Sequence, residues 1–201
     1  MSPESSASDD STRAPIHRIT PAEIRITGVR TLLRTLHQDS RGFLVETLRR
    51  DDQTVDGSHF VMSYSSVTLP GQYRDADRWH LHKVQTDRFV VPLGEMTLAL
   101  LDGREGSTTF DRLEVILMRG APPSDAGFAP KRDLTTHLVT IPPGVLHCLG
   151  NLSSEPLLLQ NYPTEFYDPA DEGRVPFNTR VIPSLGRGFD WARVDRQTPR
   201  Q

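Results

Sequence analysis

The stretch His80-Leu81-His82-Lys83 decides the fold when it is taken together with Asp87, Gly94 and the later segment Pro142-Pro143-Gly144-Val145-Leu146-His147. Two histidines one residue apart on a β-strand point to the same face, about 6.5 Å apart along the chain. A third histidine that arrives on another strand can meet them inside a barrel. The spacing therefore predicts either a metal site or an acid–base site that is enclosed by strands.

The composition indicates a single globular domain. The chain has 201 residues, a net charge of −3 and 24% charged residues, which suits one domain and argues against a nucleic-acid surface. No apolar run approaches the ~18 residues that span a bilayer, so we expect no membrane partner. A single cysteine, Cys148, excludes an intrachain disulfide, and since no secretory signal is visible the expected location is cytoplasmic.

The order of segments divides the chain into three parts. Residues 1–18 are rich in Ser, Asp and Pro and are expected to form a disordered tail. Residues 19–185 contain about ten short apolar-alternating segments between Gly and Pro turns, a pattern typical of an all-β barrel or sandwich. This part also includes an irregular loop over 119–134. Residues 186–201 form a short C-terminal extension.

The two histidine clusters resemble the paired motifs of the cupin superfamily. They read His-x-His-x4-Asp-x6-Gly and Pro-x-Gly-x2-His-x3-Asn, with Thr136 in place of a leading glycine and Asp87 in place of the commoner glutamate. The resemblance implies an all-β cupin double-stranded β-helix. Such a jelly-roll barrel leaves its mouth open for one small ligand.

The residues leave two kinds of chemistry open. In one, His80, His82, His147 and Asp87 hold a divalent transition metal, which could be Zn, Fe, Mn, Ni or Cu. In the other, no metal takes part and His82 acts as a general base, because imidazole titrates near the working pH.

A scatter of short segments resembles one cupin branch more closely, the dTDP-4-dehydrorhamnose 3,5-epimerases. The segments are Asp39 to Glu46, Leu81-His82, Asp102 to Phe110, Ile141 to His147, Asn151 to Ser153 and Tyr167 to Gly173. The resemblance implies an epimerase or isomerase of a nucleotide-activated 4-keto-6-deoxy sugar that needs no cofactor. A barrel histidine would remove a proton alpha to the ketone.

The same resemblance implies a role for individual residues. His82 is the expected base, and the other catalytic candidates are His80 and His147. The expected contacts to the nucleotide-diphosphate sugar come from Arg41, Arg74 or Arg78, Arg88, Glu46 and Tyr167, in which arginines grip the diphosphate and Tyr167 stacks on the base. The segment that carries Arg41 often comes from the neighbouring subunit in this branch, which implies a homodimer with exchanged N-terminal strands.

The chain also departs from the branch. The family's catalytic tyrosine falls on Asn161, and the adjacent Tyr162 replaces it only if a bulge shifts the strand register. Restoring tyrosine at 161 is therefore expected to raise activity. The aspartate that orients the base falls on Thr179, and His80 is an addition that is similar to the dTDP-sugar 3,4-ketoisomerases. These departures leave three alternatives. The protein could be an epimerase relative with altered chemistry, a metal-dependent cupin enzyme, or a non-catalytic cupin that binds a sugar nucleotide.

Overall fold

The computed structural model describes residues 14–52, 60–122, 132–197 and 199. Across these ranges the chain forms twelve strands and three single-turn 3-10 helices, at Pro21–Glu23, Phe177–Thr179 and Trp191–Arg193. No helix in the described residues is long and apolar enough to cross a membrane. The strands are β1 (Arg18–Ile19), β2 (Arg30–Asp39), β3 (Gly42–Val45), β4 (Tyr64–Thr68), β5 (Arg78–His82), β6 (Asp87–Leu93), β7 (Glu95–Asp102), β8 (Leu113–Arg119), β9 (Arg132–Ile141), β10 (Val145–Gly150), β11 (Leu157–Asn161) and β12 (Glu172–Pro176).

The described strands form two six-stranded sheets that face each other. Sheet I has the order β1-β8-β7-β10-β5-β12, and sheet II has the order β3-β2-β9-β6-β11-β4. All the pairings between these strands are antiparallel except that of β1 with β8. Among the described strands, β2–β3 and β7–β8 are hydrogen-bonded neighbours that are also consecutive in sequence, and the other neighbours are further apart, as in a jelly roll. The prediction of an all-β cupin barrel is therefore confirmed.

The main core lies between the two sheets. Side chains alternate along each strand, so that every second residue points inward. The inward apolar side chains from both sheets form one buried cluster, with members that include Phe89, Val91, Leu98, Leu100, Val139, Ile141, Leu149 and Leu159. Full burial of each such side chain stabilises the fold by roughly 1.5–3 kcal/mol. Phe89 of this cluster packs edge-on against His147, with ring centroids 5.8 Å apart, so the apolar core borders the inward-pointing histidines.

A second apolar cluster covers the outer face of sheet I. Trp79 on β5 is fully buried there, with ring centroids 5.1 Å from Phe177 and 5.0 Å from Phe189. Trp191 lies 5.0 Å from Phe189 and is 6% exposed. The predicted C-terminal extension therefore includes residues that are packed against the barrel.

The described chain begins inside what was expected to be a disordered tail. Residues 1–13 lie outside the described residues, but Ile16 is buried and bridges Val194, and Arg18 pairs with Val115 in β1. Of the expected loop over 119–134, residues 123–131 also lie outside them.

Two glycine turns bring the histidine strands into place. Gly94, with φ +81°, turns β6 into β7. Gly144 has φ +80°, and its N–H donates to the His82 carbonyl at 2.8 Å. Glycine populates this left-handed region without a Cβ penalty. The Pro142-Pro143-Gly144 turn therefore ties the start of β10 to the end of β5.

Candidate active site

Three histidines point from sheet I into the barrel. His80 and His82 share one face of β5, and His147 on β10 lies directly opposite His80 in the strand register. The ring centroids are 4.6 Å apart for His80 and His82, 5.1 Å for His80 and His147, and 6.1 Å for His82 and His147. The structure thus brings together the three side chains that the sequence pattern placed in one site.

His82 is held in a single tautomer. Its Nδ1 lies 3.0 Å from Oδ2 of Asp171, and a carboxylate can only accept, so this nitrogen carries the proton. Nε2 lies 3.0 Å from Nε2 of Gln85, which also donates to Oδ1 of Asp87 at 2.9 Å. The bond to Asp87 fixes the amide so that its N–H faces the imidazole. In this arrangement Nε2 of His82 carries the lone pair and accepts the Gln85 N–H.

Asp171 is the residue that orients His82, and the sequence comparison had assigned this role to Thr179. Its carboxylate also accepts backbone N–H groups from Lys83 at 2.8 Å, Val84 at 2.6 Å and Gln85 at 3.2 Å. Burial works to raise the pKa of Asp171, but these N–H groups and His82 outweigh it and lower the pKa. Asp171 directly precedes Glu172-Gly173 and lies within the family-like segment Tyr167 to Gly173, so the orienting carboxylate lies eight residues before the position that the resemblance predicts.

Asp87 is a buried carboxylate at the centre of the polar cluster. It is 2% exposed, and its Oδ1 accepts from Asn161 Nδ2 at 2.8 Å as well as from Gln85. Its Oδ2 lies 3.3 Å from His147 Nε2 and 3.6 Å from His82 Nε2. Burial works to raise the pKa of Asp87, yet His147, His82 and Asn161 lower it to about 2. Asp87 therefore remains ionised beside the two imidazoles, and the amides of Gln85 and Asn161 hold it in place.

His80 is kept uncharged. Burial, together with the neighbouring imidazole of His147 and the guanidinium of Arg174, lowers the pKa of His80 to about 3. Its Nε2 lies 3.3 Å from Oε1 of Glu172, and that oxygen accepts a hydrogen bond from Arg174 Nε at 2.7 Å. At neutral pH His80 is therefore a neutral ring beside an ion pair.

The three imidazoles also satisfy the first geometric condition for a metal site. One ligand atom from each of His80, His82 and His147 lies within 4.8 Å of the others, and Asp87 is not part of that group. Imidazole nitrogens suit Zn, Fe, Ni and Cu. The chain could therefore hold such an ion through three histidines, although the fourth ligand expected from the sequence is bound to Gln85 and Asn161.

The structure places Asn161 in the site and directs Tyr162 away from it. Asn161 is fully buried, and its Oδ1 accepts the backbone N–H of Arg88 at 3.0 Å. The Tyr162 hydroxyl bonds to that of Thr47, on the other side of the strand. The irregularity in β11 lies earlier, between Leu158 and Gln160. Tyrosine at 161 would remove the amide that bonds to Arg88 and Asp87, and the expectation that this change raises activity stays a prediction.

Two of the predicted substrate-binding arginines bond to the backbone of their own chain. Arg88 is 1% exposed, and its guanidinium donates to the carbonyls of Tyr162 at 2.5 Å and Pro163 at 3.4 Å. Arg74 donates to Thr68 Oγ1 at 3.1 Å and to a carbonyl of β4. Arg88 thereby fixes the end of β11, where Asn161 lies.

The remaining predicted contacts lie on the surface of the described chain. Arg41 is 87% exposed beside Asp39, and Tyr167 is 74% exposed. Arg78 pairs with the adjacent Asp77, and Glu46 pairs with Arg49. Within the described residues none of these four side chains hydrogen-bonds to the histidine cluster.

The jelly-roll barrel and its carboxylate-oriented imidazole define a cupin equipped for acid–base chemistry. No protein-family model matches the chain. It is 34% identical over 148 residues to a probable low-salt glycan biosynthesis epimerase of Haloferax volcanii, covering 71% of this chain and 83% of the relative. It is 30% identical over 168 residues to a spore coat polysaccharide biosynthesis protein of Bacillus subtilis, covering 83% and 96%.

Solved structures agree with these relatives. A dTDP sugar isomerase from Desulfovibrio desulfuricans superposes with a TM-score of 0.65 at 28% identity, covering 85% of this chain and 94% of that one. An epimerase of Mycobacterium tuberculosis shares the fold with a TM-score of 0.61 at 23% identity, covering 89% and 81%. The chain belongs to the dTDP-4-dehydrorhamnose 3,5-epimerase-like family of cupins. It is an enzyme of the sugar epimerase and isomerase type, as the sequence motifs predicted.

Proposed function

We propose that the protein epimerises or isomerises a nucleotide-activated 4-keto-6-deoxy sugar, with His82 as the base that removes a proton alpha to the ketone. The contacts of the two ring nitrogens of His82, with Asp171 and with Gln85, support this proposal most directly. Asp171 holds the proton on Nδ1, so Nε2, which here accepts an N–H from Gln85, is the nitrogen that can take a proton. When Nε2 takes the substrate proton, the ionised Asp171 stabilises the imidazolium that forms.

The relatives support the substrate class. One relative is a glycan biosynthesis epimerase, and a similar solved structure is a dTDP sugar isomerase. A proton alpha to a ketone is acidic enough for an oriented imidazole to remove, and such general base catalysis contributes typically 10²–10⁴-fold. A 4-keto sugar nucleotide therefore matches both the base and the relatives.

A cytoplasmic location fits the buried, unpaired thiol of Cys148.

The substrate's diphosphate and base would bind outside the histidine cluster. Arg41, Arg78, Glu46 and Tyr167 all lie on the surface, where arginines can form bidentate contacts with phosphate. Arg41 lies at the β2–β3 turn, on the edge of sheet II. We propose that this turn reaches the site of a second subunit in a homodimer. Light scattering of the purified protein should give twice the mass of the chain, and Arg41→Ala should raise KM more than it lowers kcat.

The test is deuterium exchange on a dTDP-4-keto-6-deoxyhexose in heavy water, followed by NMR at carbons 3 and 5. The wild type should incorporate deuterium, and His82→Asn should lower the rate by at least ~100-fold. The matched control is His17→Asn, because His17 is 73% exposed and lies outside the site. Exchange at the wild-type rate in the His82 variant would refute the proposal.

A metal-dependent reaction is a second candidate, and the grouping of three imidazoles within 4.8 Å favours it. The same exchange experiment separates the two candidates when it is run with a chelator. Activity that survives chelation supports the metal-free base. Activity that is lost on chelation and restored by one divalent ion supports the metal enzyme, and His147→Ala should then abolish metal retention.

A further inference from the structure

Tyr64 reaches the site from the sheet opposite His82. It lies on β4 at the edge of sheet II, whereas His82 lies on β5 in sheet I. In the β11–β4 register Tyr64 is the direct partner of Asn161. Directly opposed residues on antiparallel strands point to the same face. Because Asn161 points into the barrel toward Asp87, the phenol of Tyr64 also points inward.

The hydroxyl of Tyr64 is bonded in a way that leaves its proton available. Oδ1 of Asn161 accepts the Arg88 N–H, so the Nδ2 end of the amide faces the site. Nδ2 donates to the Tyr64 oxygen at 2.9 Å and to Asp87 Oδ1 at 2.8 Å. An amide N–H cannot accept a proton in return. In the part of the chain that the structure describes, no group accepts the phenolic proton of Tyr64.

The other phenols of the described chain do not meet these conditions. Tyr73 packs against Trp191 on the outer face of sheet I, with ring centroids 4.9 Å apart. Tyr162 bonds to Thr47, and Tyr167 is exposed. Tyr64 is therefore the one described phenol that is hydrogen-bonded into the Asp87 network.

We propose that Tyr64 is the catalytic acid that returns a proton to the sugar carbon on the face opposite His82. This inference rests on the function proposed above. Inversion at a carbon needs one group to remove the proton and another, across the ring, to supply one. The Tyr64 O–H bond breaks as the new C–H bond forms, and the enolate electrons supply the C–H bond.

The cycle then closes with water. The phenolate keeps its hydrogen bond from Asn161, which stabilises the charge on oxygen. His82 ends with one extra proton and Tyr64 with one fewer, so both recover by exchange with solvent. Tyr64 is 44% exposed, and water can therefore reach it at the barrel mouth. Loss of surrounding water raises the pKa of Tyr64, so the phenol is protonated at neutral pH, as an acid must be.

The experiment follows exchange and inversion in one NMR spectrum, on a dTDP-4-keto-6-deoxyhexose in heavy water. Tyr64→Phe should keep deuterium uptake, because His82 can return a deuteron to the face it took the proton from. Inversion should fall by at least ~100-fold. Tyr73→Phe is the matched control, since it removes a phenolic hydroxyl on the outer face of sheet I, and it should invert the sugar at the wild-type rate.

The other possible outcomes of the Tyr64→Phe experiment each overturn a stated claim. Full inversion in Tyr64→Phe overturns the assignment and leaves the proposed function intact. Equal loss of uptake and inversion in a variant that melts like the wild type also overturns it, because Tyr64 would then act in proton removal. A wild type that exchanges no proton overturns the proposed function together with this inference.

A second variant covers the case in which Tyr64→Phe does not fold. 3-Fluorotyrosine at position 64 keeps the hydroxyl and lowers its pKa. The alkaline limb of the inversion rate should then move to lower pH, while the limb for deuterium uptake stays in place. An unmoved inversion limb would overturn the assignment.

Discussion

Asp171 lies directly before the strand residue that pairs with His82. In the β12–β5 register Glu172 is the partner of His82, and the Asp171 carboxylate reaches Nδ1 at 3.0 Å while it accepts the N–H groups that follow β5. The pairing of the edge strand β12 with its neighbour β5 therefore sets the geometry of the base. The loop after β5 and the loop before β12 are held together by one carboxylate.

Asp171→Asn should lower the rate of deuterium exchange on the keto sugar by roughly 10–100-fold, because the imidazole loses its charged partner and its fixed tautomer. KM should change little, since Asp171 faces the ring and not the substrate. The rate is measured by NMR in heavy water. Asp168→Asn is the control, because among the described residues the Asp168 side chain bonds to the nearby backbone N–H of Ala170 and not to His82. Equal rates for the two variants would contradict the role of Asp171.

Asp87 should make the fold sensitive to acid. Its pKa is about 2 in the folded protein and 3.8 ordinarily. Because the folded pKa is the lower one, the stabilisation is fully present above pH ~4 and is lost as pH falls through 2. The difference corresponds to about 2 kcal/mol. Urea unfolding at pH 5 and at pH 2.5 measures it.

The matched variants for that measurement are Asp87→Asn and Glu105→Gln. Asp87→Asn should lose less stability between the two pH values than the wild type, because the amide does not titrate. Glu105 is exposed, so its variant should follow the wild-type curve. If Asp87→Asn also follows that curve, the Asp87 carboxylate does not contribute to the acid sensitivity.

Gly94→Ala should destabilise the barrel more than Gly71→Ala does. Both glycines have positive φ, +81° and +71°, which costs alanine of order 1–3 kcal/mol. A Cβ at Gly94 would also lie 2.5 Å from the Pro156 carbonyl oxygen, whereas a Cβ at Gly71 meets nothing within 4 Å. Thermal unfolding compares the two variants, and equal melting temperatures would show that the turn at Gly94 relaxes.

Trp191→Ala should cost about 3–5 kcal/mol, because a large buried ring leaves a cavity. The indole also donates from Nε1 to the Asp75 carbonyl at 3.1 Å, and that acceptor would lose its partner. Urea unfolding measures the loss. Val181→Ala is the control, since Val181 is 64% exposed, and its stability should stay within about 0.5 kcal/mol of the wild type. A similarly small loss for Trp191→Ala would mean that the C-terminal segment does not stabilise sheet I.

The sequence was sufficient to predict the barrel and the shared face of the histidines, because strand alternation and turn glycines are local properties. It did not locate Asp171, since counting along the chain cannot follow the pairing of β12 with β5. Tyr64 was missed for a related reason. Its proximity to Asn161 depends on which strand lies at the edge of sheet II, and no local pattern around Tyr64 indicates that partner.

The pairing of Ile16 with the C-terminal segment places the two described ends of the chain side by side. The Arg193 carbonyl accepts the Ile16 N–H at 2.8 Å, and the Ile16 carbonyl accepts the Asp195 N–H at 2.9 Å. A short peptide could join these two described ends. The protein is therefore suited to circular permutation, with new termini opened at the surface turn that contains Glu105 and Gly106.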